Sequence, residues 1–166
     1  GRGCLLARRL VEAGTTFVEI SSRASQANWD THQDNFERTA TNTAMIDPAF
    51  ATLISDLKDK GLFANTVVLW TGEFGRTPRI NPRGGRDHYP RVFNAAIAGG
   101  GLKGGQVIGA STRDGSAVDR DPVTPGNLFS SVCKAINVDP EKENMSPLGR
   151  PMRIVDKGKP IDALFG

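Results

Sequence analysis

Residues 66–76, with the sequence TVVLWTGEFGR, decide the fold, because they join the most apolar short run of the chain to a polar turn. The run TVVLW is rich in β-branched and aromatic residues, and it predicts a strand over residues 66–70. An unbroken apolar run indicates burial on both faces, as in a parallel sheet covered by helices. Gly72 and Gly75, on either side of Glu73, favour a sharp turn after the strand.

Helical and extended patterns alternate on both sides of this run. We predict helices over residues 3–14, 35–44, 47–61 and 124–136, strands over residues 15–21, 66–70, 92–98, 106–108 and 153–155, a loop over residues 22–28 and an irregular tail over about residues 137–166. This order predicts a single α/β layer fold with a mostly parallel sheet. In such folds, ligands collect beyond the carboxyl ends of the strands.

Composition and length exclude several classes of protein. The chain has 166 residues, of which 38% are hydrophobic and 23% are charged, as in one globular domain. No apolar run approaches the ~18 residues that a membrane span needs. The two cysteines, Cys4 and Cys133, are too few for a disulfide scaffold or a cysteine-based metal cluster.

The positive charge is concentrated in one segment. Residues 71–91 contain five arginines and only two acids, which accounts for the net charge of +3 of the whole chain. The planar fork of arginine suits phosphate, sulfate or carboxylate groups. A solvated basic loop explains the charge equally well. We expect no nucleic-acid partner, since no aromatic residues are interleaved with these arginines to stack bases.

The chain has only two histidines, His32 and His88, and each has an acidic neighbour, Asp30 and Asp87 respectively. Glu73 follows the strongest strand in the turn between them. Carboxylates together with neutral imidazoles suit Zn, Mn, Fe and related divalent ions. Taken singly, each histidine is more often a hydrogen-bonded loop residue, so the hypothesis of a metal site depends on all of them meeting at one edge of the predicted sheet.

Three motifs resemble those of a known family. The sequences WDTH (residues 29–32), TGEFGRTP (residues 71–78) and GGRDH (residues 84–88) are similar to those of the sulfatase-like proteins of DUF family 1501, in the alkaline phosphatase superfamily. The resemblance continues through residues 93–101 to residues 146–151 and covers essentially the whole chain.

The resemblance implies a doubly wound α/β fold, with helices on both faces of the sheet, and a two-metal hydrolase ancestry. It matches Asp30, His32 and His88 to the ligands of one metal and Glu73 to the acid of a strand-end motif, in which Phe74 replaces a histidine. Nothing before Asp30 resembles the nucleophile segment of the superfamily. We therefore expect the chain to be the C-terminal part of a longer protein, and the resemblance is compatible with export of that protein.

The leading functional hypothesis is a fragment of a metal-dependent hydrolase that acts on small phosphate or sulfate esters in the intact protein. The expected metal ligands are Asp30, His32, Glu73, His88 and Asp87, and the expected contacts to the substrate anion are Arg76 and Arg86. The metal would be Zn, Mn or another transition metal. A non-catalytic module that binds a metal or an anion, and a purely structural role for these residues, remain alternatives. The substrate, the identity and number of metals and the oligomeric state are left open by the sequence.

Overall fold

The computed structural model describes residues 1–22 and 29–166 of an α/β protein with small antiparallel sheets. Its helices are α1 (Arg2–Glu12), α2 (Asn35–Asp59) and α3 (Pro125–Ala135), and its strands are β1 (Val67–Thr71), β2 (Gly75–Arg76), β3 (His88–Tyr89), β4 (Ala95–Gly99), β5 (Ala110–Ser111), β6 (Val118–Arg120), β7 (Glu143–Met145) and β8 (Pro151–Arg153). Two short 3-10 helices span Phe63–Asn65 and Asp162–Leu164. The predicted loop over residues 22–28 lies, apart from Ser22, outside the described residues.

The chain divides into two compact units. The first unit comprises residues 1–63 and 74–93, and the second comprises residues 64–73 and 94–166. Both units are built from discontinuous stretches, because β1 and the turn after it belong to the second unit.

Helices α1 and α2 pack together in the first unit. The apolar side chains buried there are Ala7, Leu53 and Leu57. At the edge of this contact, Lys60 Nζ lies 2.9 Å from Glu12 Oε1. The helix predicted over residues 3–14 is thus confirmed as α1.

Helix α2 is one continuous helix, whereas the sequence predicts two with a boundary at Pro48. Proline inside a helix removes one backbone hydrogen bond, so the prediction of a break was reasonable but wrong. Leu53 and Leu57 after the proline, and Asn42 before it, are all buried, and packing on both sides holds the helix together. The hydroxyl of Thr52 donates to the carbonyl of Pro48 over 2.8 Å within this stretch.

The strand predicted over residues 15–21 is wrong. These residues are irregular, and the side chain of Phe17 is 80% exposed. A β-rich composition produces a strand only where a partner strand satisfies its backbone groups. No such partner pairs with this stretch within the described part of the chain.

The second unit contains β1, which was predicted correctly as a strand but whose pairing differs from the prediction. It pairs antiparallel with β4, in a register that places Val67 opposite Gly99 and Thr71 opposite Ala95. Every strand pair in the described residues is antiparallel, so the predicted parallel sheet is not found there. The apolar run predicted burial on both faces of the strand, but Trp70, at its end, is 47% exposed.

Helix α3 of the second unit confirms the helix predicted over residues 124–136. The hydroxyl of Thr124 accepts from the backbone N–H of Asn127 over 3.1 Å, and Asn127 Oδ1 accepts from the N–H of Thr124 over 3.0 Å. This reciprocal cap, followed by Pro125 in the first turn, is encoded locally. The helix then buries Leu128 and Cys133.

The smaller strand predictions are less accurate. The strand predicted over residues 106–108 is absent from that stretch, and β5 follows two residues later. The strand predicted over residues 153–155 overlaps β8 only at Arg153, and β8 forms a hairpin with β7 inside the segment predicted as an irregular tail. Among the described residues, no helix combines the length and the apolar character needed to cross a membrane.

We expect Gly126→Ala to lower the free energy of unfolding by about 1–3 kcal/mol. Intrinsic propensity alone favours alanine in a helix by about 1 kcal/mol. However, a Cβ atom at Gly126 would overlap the backbone carbonyl of Lys157, which lies against α3. Urea denaturation measures the difference.

Gly104→Ala is the matched control, because a Cβ atom at Gly104 meets no atom of the described residues within 4 Å. Its unfolding free energy should stay within about 0.5 kcal/mol of the wild-type value. Equal stability of both variants would contradict the tight packing of Gly126.

Candidate metal centre

Backbone contacts bring two distant loop segments together in the first unit. The N–H of Arg86 donates to the carbonyl of Thr31 over 2.9 Å, and the N–H of Asn35 donates to the carbonyl of Gly84 over 2.9 Å. Gly85 lies so close to the backbone of His32 that a Cβ atom at this position would overlap the His32 carbonyl. The chain can approach itself this closely only where glycine stands.

The start of α2 fixes the segment that carries His32. The hydroxyl of Thr31, whose residue is 2% exposed, donates to Asn35 Oδ1 over 2.6 Å. The backbone of Asp34, at the N-cap, is left-handed, with a φ of 50°. A short polar residue tolerates that conformation, which turns the chain from the His32 segment into the helix.

The hairpin of β2 and β3 places Arg76 directly opposite His88. The N–H of Thr77 continues this pairing by donating to the carbonyl of Asp87 over 2.9 Å. The hydroxyl of Thr77 accepts from the N–H of Asp87 over 3.1 Å. The hairpin therefore sets where His88 and Asp87 emerge.

Together these contacts form a cluster of three side chains, Asp30, His32 and His88, which we call the Asp30 cluster. Asp30 Oδ1 lies 2.8 Å from His88 Nε2 and 3.0 Å from His32 Nε2. The two Nε2 atoms are 3.2 Å apart. The structure thus brings together three of the five residues that the sequence predicts as metal ligands. Along the chain, His88 lies 56 residues from His32 and 58 residues from Asp30.

Arg76, predicted as an anion contact, forms an ion pair inside the cluster. Its Nη1 atom lies 2.6 Å from Asp30 Oδ1, and its side chain is only 20% exposed. Hydrogen bonds to His88 first, and to Arg76 second, lower the pKa of Asp30 from its ordinary value of 3.8 to about 2. The Asp30 carboxylate is therefore ionised over the whole neutral range.

Asp87, predicted as a metal ligand, contacts the opposite side of the His32 ring. Its Oδ1 atom lies 2.7 Å from His32 Nδ1. That hydrogen bond is the main reason why the pKa of Asp87 lies below its usual value. Asp87 therefore sits behind a cluster histidine, as carboxylates beside metal-binding histidines commonly do.

Arg86, also predicted as an anion contact, is bound to the backbone of the hairpin. Its Nε atom donates to the carbonyl of Thr77 over 2.6 Å, and its Nη2 atom donates to the carbonyl of Arg76 over 3.1 Å. These bonds hold β2 against the segment that leads to His88. The arrangement gives Arg86 a structural role in the loop.

Glu73 belongs to the second unit, whereas the Asp30 cluster lies in the first, so its predicted role as a ligand stays a prediction. Phe74 contacts the cluster instead. Its ring centroid lies 4.4 Å from that of His88 and 5.8 Å from the guanidinium carbon of Arg76. Phe74 thus supplies an apolar wall where the resemblance would place a histidine.

Asn81 is the residue that the sequence analysis missed. Its Oδ1 atom accepts from the N–H groups of Arg83 and Gly85 over 3.0 and 2.9 Å. Its Nδ2 atom donates to Asp87 Oδ1 over 3.1 Å and to the carbonyl of His32 over 3.0 Å. The dipeptide Asn-Pro at this position is a turn signal, and it could have drawn attention to the side chain.

The donor set of the Asp30 cluster fits a divalent transition metal. Two imidazole nitrogens and one carboxylate oxygen are ligands that Zn, Mn and Fe accept. Two ligands of one ion lie at most about 4.2 Å apart when each bond is about 2.1 Å. The three distances within the cluster, 2.8, 3.0 and 3.2 Å, lie below that limit.

We expect Asp30→Asn to flatten the loss of stability in acid. A carboxylate whose pKa is lowered in the folded state stabilises it above the unfolded pKa, and this contribution disappears as the pH falls from about 4 toward 2. Wild-type chain should therefore lose more unfolding free energy over this window than the variant does. Chemical denaturation at several pH values measures both curves.

Asp114→Asn is the control, because Asp114 also has a pKa of about 2, held there by the neutral donors Thr112 and Ser116. Added salt should weaken the contribution of Asp30, which faces Arg76, more than that of Asp114. Identical acid curves for wild type and Asp30→Asn would contradict the assignment.

Comparison with known proteins gives one result. Neither a curated protein nor a solved structure matches the chain significantly. A family model described as "Protein of unknown function (DUF1501)" matches residues 1–165. Because the match covers nearly the whole sequence, the chain belongs to the DUF1501 family.

Proposed function

We propose that the Asp30 cluster binds one divalent transition-metal ion, and that this site serves the hydrolysis of small phosphate or sulfate esters in the intact protein. The observation that carries the proposal is the convergence of Asp30 Oδ1, His32 Nε2 and His88 Nε2 within 2.8–3.2 Å of one another. All three side chains are between 35% and 45% exposed, so an ion can reach them from solvent.

A bound ion would polarise a phosphoryl or sulfuryl oxygen or activate water. Residues of the chain would bind the ion and the ester. Asp30 and the two imidazoles would hold the ion, and the ionised state of Asp30 at neutral pH suits it to do so. Arg76, next to Asp30, is close enough to contact an anionic oxygen of the ester.

We also propose that the chain is related to the alkaline phosphatase superfamily. This relationship is supported by the order of the three motifs, WDTH, TGEFGRTP and GGRDH, and by the contribution of two of them to the Asp30 cluster. The superfamily fold, with its parallel sheet, and the nucleophile would require sequence outside the described residues. We propose that such sequence completes the domain.

A non-catalytic binding module is the second candidate, and Phe74 favours it. The superfamily motif has a histidine at this position, which would serve a second metal, whereas the Phe74 ring packs on His88. The donors of Arg86 are also used on backbone carbonyls rather than directed to a ligand. A site with one metal and few anion contacts can bind without turning over.

We expect the purified chain to bind one zinc ion, and His32→Ala and His88→Ala each to weaken the affinity by more than about tenfold, because even outer partners of a metal are worth about 10–100-fold. Isothermal titration calorimetry with Zn²⁺, together with metal analysis of the dialysed protein, measures this. Asp114→Asn removes a similarly acidic carboxylate that belongs to the second unit, and this variant should bind zinc as the wild type does. Unchanged affinity in both histidine variants would refute the metal site.

We expect the zinc- or manganese-loaded chain alone to hydrolyse neither nitrophenyl phosphate nor nitrophenyl sulfate, because nothing before Asp30 resembles the nucleophile segment of the superfamily. The full-length protein should hydrolyse at least one ester, and His32→Ala in that protein should abolish the turnover. Turnover by the chain alone would show that it supplies its own nucleophile. Metal binding without turnover of any ester by the full-length protein would favour the binding module.

A further inference from the structure

Both nitrogens of the His32 ring have close polar neighbours in the first unit. Nδ1 lies 2.7 Å from Asp87 Oδ1, while Nε2 lies 3.0 Å from Asp30 Oδ1 and 3.2 Å from His88 Nε2. A neutral imidazole carries one N–H and one lone pair, so its surroundings decide which nitrogen keeps the proton.

The orientation of the Asn81 amide settles the surroundings of Asp87. The N–H groups of Arg83 and Gly85 both point to one atom of this amide, which must therefore be the oxygen. The amide nitrogen then lies on the other side, where it donates to Asp87 Oδ1 over 3.1 Å. The hydroxyl of Thr77 holds the backbone N–H of Asp87 at the same time.

Asp87 Oδ1 thus accepts from Asn81 and, being a carboxylate oxygen, can only accept from His32 as well. We infer that Asn81 and Asp87 are positioning residues, which hold neutral His32 as the tautomer with its proton on Nδ1, so that the lone pair of Nε2 faces Asp30 and His88. Both residues act on the Asp30 cluster through the His32 ring, which Asp87 contacts at Nδ1.

This assignment determines the proton on His88. Asp30 Oδ1 and His32 Nε2 are both acceptors, and they lie 2.8 and 3.2 Å from His88 Nε2. His88 Nε2 must therefore carry a proton, which it shares between the two. The chain alone thus has His32 protonated on Nδ1 and His88 protonated on Nε2.

The two histidines consequently differ in how they would meet a cation, and this step rests on the proposed function. His32 already presents a lone pair at Nε2. His88 must release its Nε2 proton to solvent and take one up at Nδ1, so that the ring stays neutral. Only His88 changes its tautomer.

Nitrogen-15 NMR of the metal-free chain tests the assignment directly, because long-range nitrogen–proton correlations distinguish the two neutral tautomers. Spectra at about pH 8, above the usual titration range of histidine, should show His32 as the Nδ1–H form and His88 as the Nε2–H form. With only two histidines in the chain, His88→Gln assigns the signals. An Nε2–H form at His32 in the wild type would overturn the inference.

Exchanging the donor and acceptor roles of the two positioning residues gives the sharper test. Asp87→Asn alone should keep the His32 tautomer, since Asn81 directs the new amide oxygen toward the ring. Asp87→Asn combined with Asn81→Asp should reverse it to Nε2–H, because a carboxylate at position 81 draws the amide nitrogen into the place of the oxygen. Asp87→Ala should leave a mixture of tautomers.

The exchanged pair keeps the charge of the chain and the oxygen that accepts from Arg83 and Gly85. Circular dichroism checks that each variant is folded. If the exchanged pair does not fold, Asp87→Ala decides, and a His32 tautomer unchanged in that variant overturns the inference.

Zinc titration separates this inference from the proposed function. On addition of Zn²⁺, the His32 signals should keep the Nδ1–H pattern while His88 changes to it. The exchanged pair should bind zinc at least about tenfold more weakly than the Asp87→Asn variant, because only the exchanged pair reverses the tautomer of His32. Absence of zinc binding by the wild type would refute the proposed function, whereas wild-type affinity in a folded exchanged pair would overturn the positioning role.

Discussion

The backbone pairing between residues 83–86 and residues 31–35 is the constraint on which the candidate site depends. Two hydrogen bonds, from Arg86 to Thr31 and from Asn35 to Gly84, join loop segments that are more than 45 residues apart in sequence. Gly85 makes the approach possible, because any Cβ atom there would overlap the backbone of His32. Without this pairing, His32 would have no defined relation to the hairpin that carries His88.

Charge and hydrogen-bonding roles alternate across the site. The positive guanidinium of Arg76 lies against the carboxylate of Asp30, and the Asp30 cluster is followed by the carboxylate of Asp87 and the amide of Asn81. These contacts lower the pKa values of Asp30 and Asp87, so both carboxylates are ionised at neutral pH. The aspartates near the two histidines in sequence therefore have different contacts, since Asp30 contacts both rings at Nε2 and Asp87 contacts His32 at Nδ1.

Local sequence signals predicted some elements well and others poorly. Helix α3 was predicted because its cap, its early proline and its apolar face all lie within a few residues of each other. Helix α2 was split in the prediction because burial on both sides of Pro48, at Asn42 and at Leu53 and Leu57, depends on tertiary packing. The strand expected over residues 15–21 was wrong, and the expected parallel sheet is not found among the described residues. Strand pairing joins distant segments, and composition carries little information about the partner strand or its direction.

The sequence by itself determined the chemistry available to this protein: two histidines, each beside an aspartate, in loops rich in arginine and glycine. It also predicted Asp30, His32 and His88, together with Glu73 and Asp87, as metal ligands. Only the tertiary structure decided that Asp30, His32 and His88 meet. It also decided that Asp87 contacts Nδ1 of His32, that Arg86 binds backbone carbonyls and that Asn81 donates to Asp87. The reason is physical. Side-chain type is a local property, whereas hydrogen-bond partners depend on which distant backbone segments come together.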